Sequence, residues 1–314
     1  MTRPDASSNG PGPGRAANGR FGPTDLFMIL TTLVWGINLS LIKISLRELR
    51  PHAFNGVRLT VSAVLYGFVL LASRRKAPAL GRDAWKIIGL AVLGVTLYQW
   101  LFIQGIEHTG ASTTSLILAM SPVFIAVLST ILGTERIHWA AWLGIAVSIA
   151  GFYAVITGPA LSFRLSAAAL RGDLLLMAAN MCWALYTVLS KGLLERIAPL
   201  RLAALTAVPG TLLYLPLAAR DMAAQRYTNV SWAAWGGLLY SAALAIFAGT
   251  IVWYSSLKRV GNAKTAIYTT LNPVFAVLFA ALFLSERITP VQGVGAAVIL
   301  AGVYLTRSGY RLFR

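Results

Sequence analysis

Long apolar runs without charge, separated by short polar clusters, set the pattern of this chain. Ten stretches carry no Asp, Glu, Lys, Arg or His, beginning near Leu26, Leu59, Ile87, Thr109, Trp139, Leu174, Leu202, Tyr227, Thr265 and Ile288. The second span is taken to start near Ala53, because only Arg58 interrupts the run after His52, and the eighth opens in loop over Tyr227–Ser231. About 20 apolar residues suffice for a helix to cross a bilayer. Backbone groups facing hydrocarbon need partners within their own segment, so each run is predicted to be helical. The pattern predicts an all-α polytopic membrane protein with ten transmembrane helices. Residues 1–23 hold four prolines and five glycines and no apolar run, and read as a disordered tail on the cytoplasmic side.

Composition excludes the soluble alternative. Of 314 residues 57% are hydrophobic and 12% charged, about half the charge of a typical soluble domain. No single globular core hides that much apolar surface. The 27 Lys and Arg against 10 Asp and Glu give a formal charge of +17, which in a soluble chain would suggest nucleic acid. Here the bases are scattered between apolar runs, so they are read as setting orientation and attracting anionic lipid headgroups. With the N-terminus in the cytoplasm, the inner segments hold 18 Lys and Arg and the outer loops seven, with Lys43 and Arg58 inside spans. Both termini are therefore expected in the cytoplasm, and the protein in the cytoplasmic (inner) membrane. The single cysteine, Cys182, permits no internal disulfide.

The chain also repeats itself. Residues 110–137 align with 261–288 at an offset of 151, matching Gly110 with Gly261, Pro122-Val123-Phe124 with Pro273-Val274-Phe275, and Glu135-Arg136-Ile137 with Glu286-Arg287-Ile288. The match runs on through Gly144/Gly295 and Gly151/Gly302. Trp35/Trp183, Lys43/Lys191 and Pro51/Pro199 align at an offset of 148. Apolar segments share Leu and Ala by chance, but not Pro, Gly, Trp, Glu and Arg in one register. Each half holds five predicted spans, an odd number, so the halves are expected to cross the membrane in opposite directions. Inverted repeats with interrupted helices point to alternating access around a site near the midplane.

Spans opening each half with Trp (VWGINLSLIK and CWALYTVLSK) and closing blocks SPVF…GTERI…GIAVSIAG and NPVF…LSERI…GAAVILAG resemble the EamA branch of the drug/metabolite transporter superfamily. The resemblance runs from about Thr24 to Arg307 and implies two five-helix repeats, at 24–158 and 171–308. It implies export or exchange of small solutes such as amino acids, other metabolites or drugs. Ala184 stands where the first half has Gly36, a departure that bears on close packing there.

All ten carboxylates, with His52, His108 and His138, are read as lying in the tail, in loops or at span ends. That leaves no embedded proton relay or counter-ion for a cationic drug and no cluster of metal ligands. Small multidrug transporters of the same superfamily use a Glu in their first helix, where this chain has Thr31, Trp35 and Asn38. No GxxxxGK[ST] loop is present to bind ATP, and no cofactor and no enzymatic activity are expected.

Uncharged polar and aromatic residues are the candidates for substrate contact. Trp35 and Asn38 are three apart, as are Asn180 and Trp183, and that spacing shares a helix face. Tyr186 is the repeat equivalent of Asn38. Tyr98 and Gln99 add polar groups to the third span, with Gln104 further along it. Tyr268 and Asn272 are read as sharing a face of the ninth. For each, an interhelical hydrogen bond is the competing reading; the set together favours a cavity. Pro122 and Pro273 interrupt their spans and are candidate hinges, against static kinks. Lys43, Lys191 and Arg58 are read chiefly as snorkelling to an interface. Gly144, Gly151, Gly295 and Gly302 are read as packing positions, within the fold or between subunits. Trp85, Trp139 and Trp232 read as an interfacial belt.

The expectation is a secondary transporter, monomer or homodimer, in contact with membrane lipid and with no nucleic-acid partner. It would export a small neutral or zwitterionic metabolite such as an amino acid. A multidrug exporter of neutral lipophilic compounds is the first rival, and a membrane protein without transport activity the second.

Overall fold

The computed structural model describes residues 22–72, 81–133, 139, 142–144, 146–151, 154, 167–285 and 289–311. Every element among them is helical: α1 Pro23–Ser45, α2 Pro51–Ala72, α3 Ala84–His108, α4 Ala111–Ile131, α5 Trp142–Gly151, α6 Ala167–Leu194, α7 Pro199–Ala224, α8 Trp232–Asn262, α9 Asn272–Leu284 and α10 Pro290–Arg311. Seven of these (α1 to α4 and α6 to α8) are long and apolar enough to cross a membrane, and the chain is a multi-pass membrane protein. Three shorter apolar helices occupy the stretches in which the fifth, ninth and tenth spans are predicted. Helices α1, α2, α7 and α10 open on proline, whose missing N–H costs nothing in a first turn. Leu71, Phe68 and Val64 on one side of α2, and Leu212 on α7, are largely exposed, as a lipid-facing surface requires. The predicted tail, 1–23, and the repeat ends beyond Arg311 fall largely outside the described residues, as do Glu135, Arg136, Glu286 and Arg287.

The halves interleave. Helix α1 packs on α8 and α9, and α6 packs on α3 and α4. Helix α2 lies on α7; α2 also reaches α8 while α7 reaches α3. Exchanging the first half for the second turns each of these neighbours into another of the set. The same reciprocity holds in α5 and α10, where Gly151 faces the backbone of Gly295 and Gly302 that of Gly144. These glycines pack within the fold.

Two local departures from α geometry shape the interior. Val92–Leu97 in α3 and Ser241–Ala248 in α8 are π-helical, at positions that correspond in the two halves. Such wide turns release carbonyls and are common at functional sites. In α8 the released groups are taken by side chains: Trp35 Nε1 donates to Ala245 O (2.9 Å), the Ser62 hydroxyl reaches Ala242 O (2.8 Å) and the Tyr66 hydroxyl Phe247 O (3.1 Å). In α3 the Thr96 hydroxyl turns outward to Gly210 O (2.9 Å).

Polar clasps tie the ends together. Lys43, read from sequence as a snorkelling side chain, donates to Ile106 O (3.0 Å) and Glu107 O (3.3 Å) at the end of α3, where a helix's carbonyls favour a cation. At that end of the bundle, Glu48 accepts from Ser231 N (2.6 Å) and Ser231 Oγ (2.7 Å), and Ser231 in turn caps α8 through Ala234 N (3.2 Å). At the other, Asp83 pairs with Arg196 (3.1 Å). The hydrogen bonds from Ser231 hold the Glu48 carboxyl below the usual carboxylate range. A carboxylate lowered on folding stabilises fully above its unfolded value, and the contribution disappears as pH falls through the folded one. Thermal stability of purified wild type should exceed that of Glu48→Gln at neutral pH, and the two should converge below about pH 4. A gap unchanged down to pH 3 would remove the charge from this clasp.

Candidate functional site

The interior holds a cavity of about 130 Å³, counting the space open to the centre of a water-sized sphere. One bound water needs roughly 10–15 Å³ on this measure, so the space suits a small solute. Its wall is drawn from α1 to α4 and α6 to α8, with Thr269 and Asn272 at the start of α9. These are the same four elements of each half.

Seven sequence-derived candidates line it: Trp35, Asn38, Tyr98, Gln99, Trp183, Tyr186 and Asn272. Trp35 and Trp183 meet edge to face with centroids 6.2 Å apart, a favourable aromatic geometry. Tyr98 and Tyr186 lie 5.5 and 5.7 Å from Trp183. Behind the indoles sits Trp253, fully buried and within 5.6 Å of Trp35 and 5.5 Å of Trp183. Nothing in its sequence context marks it beyond its being aromatic. The carbonyl oxygens of Asn38 and Asn272 are buried without a hydrogen-bond partner, an uncommon state that calls for a reason.

Asn180 and Tyr268 stand outside the wall. Asn180 is fully buried, donates to Ile117 O (2.9 Å) and bonds the Ser121 hydroxyl; it braces the interruption in α4. That interruption falls at Ala119–Met120, which puts Pro122 in the first turn of the following segment, Ser121–Ile131. The Leu118 carbonyl that Pro122 cannot serve is met by Ser121 Oγ (2.7 Å) and is not free for a solute. Tyr268 donates to Asp25 instead of sharing a face with Asn272. The expectation fails because Thr269–Leu271 is a 3₁₀ turn ahead of Pro273, and its tighter winding rotates Asn272 away from Tyr268. Pro273 itself is buried in the first turn of α9.

Two ionisable residues are deeper than the sequence suggests. Asp173, expected at a span end, lies within α6 with 5% exposure and accepts from Thr109 Oγ1 (3.0 Å). Arg58, expected within reach of an interface, is 1% exposed on the cavity wall. Its Nη1 donates to Ser241 Oγ (2.9 Å) and its Nη2 to Gln99 Oε1 (2.6 Å) and Asn55 Oδ1 (2.5 Å). The Nε has no partner. Phe54 and Phe102 lie under the guanidinium at 5.2 and 5.9 Å. It is the one charged residue of the wall.

Toward the rim, His52 Nδ1 and the Tyr214 hydroxyl are 2.8 Å apart, and His52 Nε2 is 3.2 Å from Gln104 Nε2. Gln104 therefore serves His52 and does not line the cavity. Among the described residues, no group of His, Cys, Asp and Glu converges on a point where a metal could bind.

Comparison with known proteins agrees with this architecture. The EamA-like transporter family matches the chain twice, over 22–157 and 170–308. A protein of Archaeoglobus fulgidus named "Uncharacterized transporter" is 30% identical over 90% of this chain and 96% of its own length. The "Probable amino-acid metabolite efflux pump" of Salmonella typhimurium is 28% identical over 91% of this chain and 95% of its own. A crystal structure with 17% identity superposes with a TM-score of 0.66, covering 91% of this chain and 98% of that one, a likeness of fold alone. Two matched repeats spanning nearly all of the chain place it in the EamA-like transporter family of the drug/metabolite transporter superfamily.

Proposed function

We propose that this protein is a secondary transporter that exports a small neutral or zwitterionic metabolite, an amino acid or a close relative, across the cytoplasmic membrane. In this reading ten spans form two inverted five-helix repeats, both termini lie in the cytoplasm, and the halves rock about the cavity between them. Pro122 and Pro273 serve as hinges beside it. The observation that carries the reading is the cavity wall itself, built from the same four elements of each half. A site at the interface of two repeats can be exposed to either side by moving one against the other. The reciprocal neighbours of α1 and α6, and of Gly151 and Gly302, support that symmetry. The Salmonella relative's name supports the substrate class, and the Trp and Tyr side chains offer stacking surfaces for an apolar side group.

The test is counterflow in proteoliposomes preloaded with a metabolite panel, beside protein-free liposomes and a panel of lipophilic drugs. Saturable exchange confined to amino acids is the expected result. Drug-dependent transport with no metabolite exchange would replace this reading with that of a multidrug exporter.

A further inference from the structure

We infer that Arg58 is the anchor for a carboxylate on the transported solute, so that the substrate must carry one. The inference rests on the export reading above and narrows its substrate to carboxylic acids, amino acids included.

A guanidinium stays protonated at any physiological pH, and a charge inside a bilayer is costly unless it is paired or hydrated. Arg58 is nearly sealed from solvent, and its three hydrogen-bond partners are the neutral side chains of Ser241, Gln99 and Asn55. Among the described residues no carboxylate pairs with it. These partners come from α2, α3 and α8, so both halves spend polar groups on keeping one cation at the cavity. The partners flank π-helical turns: Ser241 opens the one in α8, and Gln99 follows the one in α3 by two residues. A positively charged wall in an otherwise neutral cavity disfavours a cationic solute. The planar fork of Arg matches a carboxylate in two-point contact better than any other side chain does. The incoming carboxylate would take over Nη positions now held by neutral oxygens. The unpartnered carbonyl oxygens of Asn38 and Asn272, both residues of the same wall, are acceptors suited to an α-ammonium group.

The experiment uses the full-length purified protein and reads binding separately from transport. Thermal stabilisation is measured with L-phenylalanine, L-leucine and L-glutamine, and with the amide and the decarboxylated amine of each. Wild type should be stabilised by at least one amino acid and not by its amide or amine. The same acid should bind at least about tenfold more weakly to Arg58→Gln, since hydrogen bonds to charged groups are strong. Removing a buried charge is often tolerated, and Gln99→Glu provides a second variant should Arg58→Gln fail to fold. Its carboxylate would sit where Gln99 Oε1 now meets Nη2, supplying a resident counter-ion. That variant should be more heat-stable than wild type and lose stabilisation by the acid. Equal stabilisation by acid and amide, undiminished binding in either variant, or no stabilisation by any of the acids would overturn the inference. Acid-specific binding without exchange in proteoliposomes would instead overturn the transport reading and leave the anchor in place.

Discussion

Trp35→Ala and Trp183→Ala are each expected to abolish exchange while the protein still folds. The two indoles meet edge to face at 6.2 Å, and each lies on Trp253. Trp183 also touches Tyr98 and Tyr186, so its loss removes several aromatic contacts, each worth about 0.5–1.5 kcal/mol beyond burial. About 1.4 kcal/mol is a tenfold change in affinity, which makes a fall of tenfold or more the minimum expected. Trp35 carries a second role, because its Nε1 holds the Ala245 carbonyl of the π turn. Trp35→Phe keeps most of the ring but strands that carbonyl, a loss of about 1–3 kcal/mol if it stays buried. It should therefore impair exchange more than Trp183→Phe does. Gel filtration alongside the counterflow assay separates lost activity from lost fold. Normal exchange in both alanine variants would take this cavity off the transport path.

How far the sequence foretold this site depends on the kind of structure each residue sits in. Trp35 and Asn38, three apart in unbroken α-helix, both reach the cavity, because helical spacing alone decides a face. Tyr268 and Asn272 are four apart, yet the 3₁₀ turn at Thr269–Leu271 intervenes, and periodicity carries no notice of such a change in winding. The π turns are equally silent, since VLGVTL and SAALAIFA are ordinary apolar strings. Arg58 failed for a different reason. One charge in an apolar run is compatible with snorkelling or burial, and the deciding partners, Gln99 and Ser241, lie 41 and 183 residues away. Asn180 shows the converse error. Its spacing from Trp183 suggested a shared role, but the break before Pro122 gave it structural work one turn away. Hydropathy marked the long helices well because burial in lipid acts on whole segments. The shorter helices α5, α9 and α10 carry the same apolar signal with less regular length.

The glycines between α5 and α10 should be among the least replaceable residues of the fold. A Cβ at Gly302 would stand 2.5 Å from Ser148 N and 2.6 Å from Gly144 O, and one at Gly151 would stand 2.7 Å from Gly295 O and Ile299 N. Those neighbours are backbone atoms of a facing helix, which cannot swing aside as a side chain does. Small residues allow this closeness, and close packing drives helix association in membranes. Gly302→Ala is expected to cost about 1–3 kcal/mol through overpacking, and Gly302→Val to leave little monodisperse protein. Gly236→Ala in α8 is the control, because a Cβ there meets nothing within 4 Å and gains up to about 1 kcal/mol of helix propensity. Melting curves followed by gel filtration would rank the three, and a Gly302→Val protein as stable as wild type would refute the contact. The pairing of Gly151 with Gly295 and of Gly302 with Gly144 adds a sharper requirement. Once the helices part to admit one methyl group, the second meets less resistance, so Gly151→Ala with Gly302→Ala should cost less than the two singles combined. Strict additivity would mean that the two contacts yield independently, and that α5 and α10 do not move as one rigid pair.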